Sequence, residues 1–142
     1  MIHFQLVALS GTKFDEEVNE VVLPTLDGEI GVLQDHMPLV SVATTGVIAV
    51  RKDAKDADNA REYFAISGGV IEVSGNKLRI LVDEADNAGE ISESEAQAAM
   101  ELAQKMLREA KDQVSLDHAQ QLVDRHAVRL QVAGLKRHRR NS

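Results

Sequence analysis

The sequence predicts a β-sandwich or barrel over residues 1–86 and an α-helical hairpin with a basic tail over residues 87–142. Three observations carry that expectation. Apolar residues in the first part recur with a period of two, in short runs bounded by turn residues. Those runs are too closely set to leave room for βαβ crossovers. Beyond residue 87 the apolar period becomes helical, in two stripes joined by a short break.

The elements follow in order. Ile2, Phe4 and Leu6 alternate with His3, Gln5 and Val7, which predicts a half-buried strand. Val18, Val21 and Val22 lead into Leu23-Pro24, and the proline points to a strand end or an edge. Asp27-Gly28-Glu29 is a turn signal before Ile30-Gly31-Val32-Leu33. Val40 to Val50 holds Thr44-Thr45-Gly46 among β-branched residues, and the charged stretch Lys52 to Arg61 reads as an exposed hairpin loop. Tyr63–Ile66 and Val70–Val73 flank a turn at Ser67-Gly68-Gly69. Ser74-Gly75-Asn76 then sits between Val70–Val73 and Leu78–Val82 at the spacing of a tight hairpin.

Ser92-Glu93-Ser94-Glu95 offers a helix N-cap with acids in the first turn. Ala96, Ala99, Met100, Ala103, Met106, Leu107 and Ala110 form the first stripe. A break at Lys111-Asp112-Gln113 follows, with Ser115 as candidate cap of the next helix. Leu116, Ala119, Leu122, Val123, His126, Leu130 and Ala133 form the second stripe, with Gly134 near its end and a span of about 30 Å for Leu116–Leu135. A seam built largely of alanine buries little apolar area per contact, so the hairpin is expected to be held weakly and to have more than one docked position.

Composition narrows the function. With 3% aromatic residues and no Trp, the chain lacks stacking surfaces for bases or sugars. No Cys is present, which excludes disulfides, thiol catalysis and Cys-based zinc sites. No export signal or membrane-spanning run is visible, so a soluble chain is expected. Residues 1–90 hold 16 acids and 7 Lys/Arg, a balance of −9, whereas residues 91–142 hold 7 and 9, a balance of +2. The acidic first part opposes nucleic-acid binding, although Lys136-Arg137-His138-Arg139-Arg140 is a basic end suited to an acidic partner or to the helix macrodipole. His36 with Asp27 or Asp35, and Asp83 with Asp86, are the pairings from which an acid–base site could be drawn, but no serine in a nucleophile-elbow context accompanies them. His118 and His126 are two helical turns apart, too far to share a metal ion. No catalytic residue, cofactor or metal site is expected.

Two blocks carry a family resemblance. Leu23-Pro24-Thr25-Leu26-Asp27-Gly28-Glu29-Ile30-Gly31-Val32-Leu33, followed by His36-Met37-Pro38-Leu39-Val40, resembles the signature of F-type ATP synthase epsilon chains. Phe64-Ala65-Ile66-Ser67-Gly68-Gly69-Val70-Ile71-Glu72-Val73 resembles their Ser-Gly-Gly segment. The resemblance implies an antiparallel β-sandwich of about ten strands closed by two helices. It also implies a non-catalytic central-stalk subunit beside gamma, resting on the c-ring at Glu29, Gly31 and His36. The hairpin would reach the alpha/beta catalytic head and restrain hydrolysis, with Arg125, Arg129, Lys136, Arg137, Arg139 and Arg140 as its basic side chains. The setting so implied is peripheral, on the cytoplasmic face of a bacterial membrane. This chain departs from the pattern at Gln34-Asp35, where the family has Pro-Gly, and at Ile91-Ser92-Glu93-Ser94-Glu95-Ala96. There Ser92 and Glu95 replace the Asp and Arg of an ATP-binding motif, so the isolated chain is expected not to bind ATP. A free-standing β-sandwich adaptor is the alternative reading.

Overall fold

A computed structural model describes residues 1–55 and 61–141, with side chains described as far as Leu135. Among the described residues eight strands precede two helices: β1 (Ile2–Ala8), β2 (Gly11–Val18), β3 (Glu20–Thr25), β4 (Gly28–Leu33), β5 (Leu39–Arg51), β6 (Glu62–Ser74), β7 (Lys77–Val82) and β8 (Ala85–Asn87). A 3-10 turn, Ala88–Glu90, leads to α1 (Glu93–Glu109) and α2 (Gln113–Asn141). The strands run in the order β2-β1-β7-β6-β5-β3-β4, with β8 extending the ladder on β6. All pairs are antiparallel except β1 with β7.

This sheet folds over on itself. Phe14 on β2 meets Phe64 on β6 edge-on, with ring centroids 5.8 Å apart, although two strands separate β2 from β6 in the ladder. Phe4 closes the group at 5.3 Å from Phe14. Ile2, Leu6, Leu23, Ile48, Ile71, Leu78 and Ile80 fill the space around them and are fully buried. The alternation expected of β1 is met throughout: Ile2, Phe4, Leu6 and Ala8 point inward.

Eight strands rather than about ten result from two 13-residue strands that serve both layers. On β6 the core-facing positions are Phe64 and Ile66, then Ile71 and Val73, so the parity switches at Gly68-Gly69. Ser67-Gly68-Gly69 is therefore a bend inside one strand and not a turn between two. The reason is steric. A Cβ on Gly69 would lie 2.1 Å from the Leu81 carbonyl oxygen, so β7 can approach only a glycine here. β5 switches parity in the same way, from Ala43 to Ile48 and Val50. At its bend Gly46 faces Pro24, whose Cβ would be 2.9 Å from a Cβ at that position. Pro24 thus sits on an interior strand, where the β3–β5 register breaks between Val22 and Thr25 and no ladder donor is required of it.

The tight hairpin expected at residues 74–76 is present. Ser74 pairs with Lys77 across Gly75-Asn76, which have φ 57° and 59° as a type I′ turn requires. Ser92 caps α1, its hydroxyl accepting from the Glu95 amide at 3.4 Å. At the second helix the cap is Asp112 rather than Ser115. Its carboxylate accepts from the Ser115 amide and hydroxyl, both at 2.7 Å, and these bonds hold the Asp112 carboxyl below its usual pKa. α2 continues through Gly134 to Asn141, so its 29 residues span about 43 Å. A mid-helix glycine costs about 1 kcal/mol, which is too little to end a helix this long.

Candidate interaction surfaces and the docked hairpin

Glu29 and Gly31 lie on β4, an edge strand of the sheet, and both are exposed. Gly31 has no positive φ, and turn geometry explains only Gly28, at φ 110°. Leu33 continues the same exposed row. The chain then turns through Gln34-Asp35 to His36, whose amide donates to the Leu33 carbonyl at 3.2 Å. The three expected contact residues therefore share one edge, with His36 half-buried at its end.

The acid–base pairings drawn from sequence are not assembled. His36 Nδ1 lies 2.8 Å from the Met37 carbonyl oxygen, and the Asp35 carboxylate accepts from Asn76. Asp86 lies 3.2 Å from Arg129. His118 faces a cleft of about 770 Å3 between α2 and the sandwich rim at Asp83-Glu84, whereas His126 lies 3.4 Å from an Arg129 nitrogen.

The outer faces of the two bent strands differ. Around Val47, Tyr63 and Ala65 the face is covered: Val132 is fully buried against it, with Val128, Ala88 and Ile91 alongside. Around Val40, Val42 and Val70 it is bare, and Val42 pairs directly with Val70 across β5 and β6. Contiguous exposed valines on a sheet make this half a candidate interaction surface.

Two arginines flank the covered patch. Arg125 bonds Glu84 through Nη2, and Arg129 Nε reaches Asp86. Both acids belong to the segment around β8, so in this arrangement the hairpin arginines engage their own sandwich. Arg125, Val128, Arg129 and Val132 are spaced i, i+3, i+4, i+7 and form a second face of α2. On the first face Ala119 and Ala133 are buried and Leu122, Val123, His126 and Leu130 partly buried; Leu116 alone of the expected stripe is exposed. Sequence reading missed the second face and the acids it meets, although its spacing was there to be counted. Burial first, then Arg129 and Arg125, hold the His126 pKa below its ordinary value, against smaller opposing effects of Asp86 and Glu84. The side chains of Lys136, Arg137, Arg139 and Arg140 lie outside the described residues. No helix among the described residues is long and apolar enough to cross a membrane.

Comparison with known proteins bears on the family and the fold. Residues 1–88 match the family model for the ATP synthase Delta/Epsilon chain β-sandwich domain. An ATP synthase epsilon chain of Herpetosiphon aurantiacus is 35% identical over 138 residues, covering 97% of this chain and 98% of that one. That of Synechococcus elongatus is 36% identical, covering 92% and 93%. In fold the chain is similar to one in the cryo-EM structure of Euglena gracilis mitochondrial ATP synthase, with TM-score 0.77 and 22% identity over 93% of this chain and 80% of that one. A chain in the Tetrahymena thermophila mitochondrial ATP synthase central stalk/c-ring structure gives TM-score 0.61 at 12% identity, over 90% and 95%. With a bent sandwich of eight strands, a docked helical hairpin and end-to-end relatives above 30% identity, the chain belongs to the ATP synthase epsilon chain family.

Proposed function

We propose that the chain is a non-catalytic rotor subunit of the central stalk, which couples c-ring rotation to ATP synthesis on other subunits and restrains hydrolysis through α1 and α2. The sandwich is the stiff part, with its aromatic centre and two layers packed face to face. Its bare face at Val40, Val42 and Val70 is the surface we assign to gamma, and the β4 edge with Glu29, Gly31 and His36 is the one we assign to the c-ring.

The observation that carries the regulatory part is the composition of the hairpin's contacts. α1 buries only Ala96, Met100 and Ala103, and among the described residues α2 meets the sandwich chiefly through two valines and two ion pairs. Partly exposed ion pairs add little net stability, on the order of 0–1 kcal/mol each. Such an element can leave the sandwich at a cost of a few kcal/mol, as a switch between two positions requires. Once released, Arg125 and Arg129 are free to pair with acids of the catalytic head, in company with the basic tail.

The test is ATP hydrolysis by the cognate catalytic head with gamma, in the presence of the full chain or of a chain ending at Gly89. Both forms should bind, and only the full chain should slow hydrolysis. Equal slowing by both would refute the brake and leave the rotor role standing. Failure of both to bind would favour a free-standing adaptor.

A further inference from the structure

The turn that carries His36 is held from a distance. Asp35 has φ 63°, a left-handed conformation that L-residues adopt at a cost and in which Asp and Asn are enriched. Its backbone amide donates to the Asn76 side-chain oxygen at 2.6 Å, and the Asn76 side-chain nitrogen donates to the Asp35 carboxylate at 3.2 Å. Two bonds between the same two residues, 41 positions apart, fix orientation as well as distance. The direction of the carboxamide follows from chemistry: an amide N–H can only donate and a carboxylate can only accept. Asn76 is itself anchored, because it forms half of the type I′ turn between β6 and β7 and its carbonyl accepts from the His3 amide at 3.0 Å.

We propose that Asn76 is a positioning residue for the ring-facing edge: its carboxamide clasps Asp35 and so sets where the following His36 and Met37 stand. The inference rests on the reading of that edge as the c-ring surface. Without the clasp, Asp35 would relax toward negative φ, and the chain direction at His36 would change with it. A bond from the His36 amide back to Leu33 and the contact of its ring with the Met37 carbonyl would then lose their frame.

The experiment uses the full chain with gamma on the purified c-ring, with affinity as one readout and amide hydrogen exchange at Asp35 in the free chain as the other. Asn76→Gly removes the carboxamide while leaving a residue that tolerates the positive φ of the turn. It should weaken ring binding about fivefold, the loss expected for bonds of this exposed kind, and speed exchange of the Asp35 amide. Adding Asp35→Gly should restore affinity, since glycine takes the left-handed conformation without a clasp. Wild-type affinity in Asn76→Gly, or unchanged exchange at Asp35, would overturn the proposal. If the wild-type chain itself fails to bind the ring, the surface reading falls, and exchange in the free chain still decides whether Asn76 holds the turn.

Discussion

At the scale of single residues, packing leaves Gly69 no substitute. Alanine there places a methyl group 2.1 Å from the Leu81 carbonyl oxygen, and the neighbour is backbone, which cannot swing aside. Gly69→Ala should lower stability by about 2 kcal/mol in urea unfolding. His126 makes a different prediction, in pH. Its folded-state pKa lies below the ordinary 6.5, chiefly through burial and secondly through Arg129 and Arg125. Asp86 and Glu84 act in the opposite sense, with smaller effects. Between the folded and unfolded pKa values the unfolded chain binds more protons, so stability rises with pH across that interval. Docking of the hairpin should hold at neutral pH and weaken as pH falls below 6.5, with His126→Gln flattening the profile. Amide exchange along α2 as a function of pH would check both statements.

At the scale of elements, α2 is the piece that joins hairpin to sandwich. Its first apolar stripe was legible in the sequence because it follows a single helical period. Its second face was harder to see, since Arg125 and Arg129 hide two valines inside a row that reads as solvated. Val132 is fully buried in a small cluster with little else to share the load. Val132→Ala should cost about 2 kcal/mol, enough to raise α2 exchange by more than tenfold while the exchange of β1 and β7 stays unchanged. Uniform acceleration in the strands would mean that hairpin and sandwich unfold together. The caps show the limit of local reading from the other side. Ser92 is where its residue type predicts, whereas the second helix starts one turn earlier than Ser115, because Asp112 accepts from both donors of that serine.

On the scale of the whole molecule, one apolar sheet face is used twice. The half under α2 is closed by the chain itself, and the half at Val40, Val42 and Val70 is bare, the surface proposed here for gamma. Val42→Asp should weaken gamma binding at least tenfold and leave folding intact, since Val42 is already half exposed; retained affinity in pull-down or calorimetry would move the gamma surface elsewhere.

The sequence by itself determined the element types, the inward residues of β1, the Gly75-Asn76 turn, the alanine seam and, through its two motif blocks, the family. These are local properties: periodicity, turn chemistry and helix capping act over a few residues and are written directly in the order of side chains. Only the tertiary structure decided that Ser67-Gly68-Gly69 is a bend and not a turn, that Pro24 sits inside the sheet, and that Arg125 and Arg129 meet Glu84 and Asp86. It alone brought Asn76 to Asp35. Each of these depends on two backbones approaching from distant parts of the chain, and no single stretch of sequence carries the distance between them.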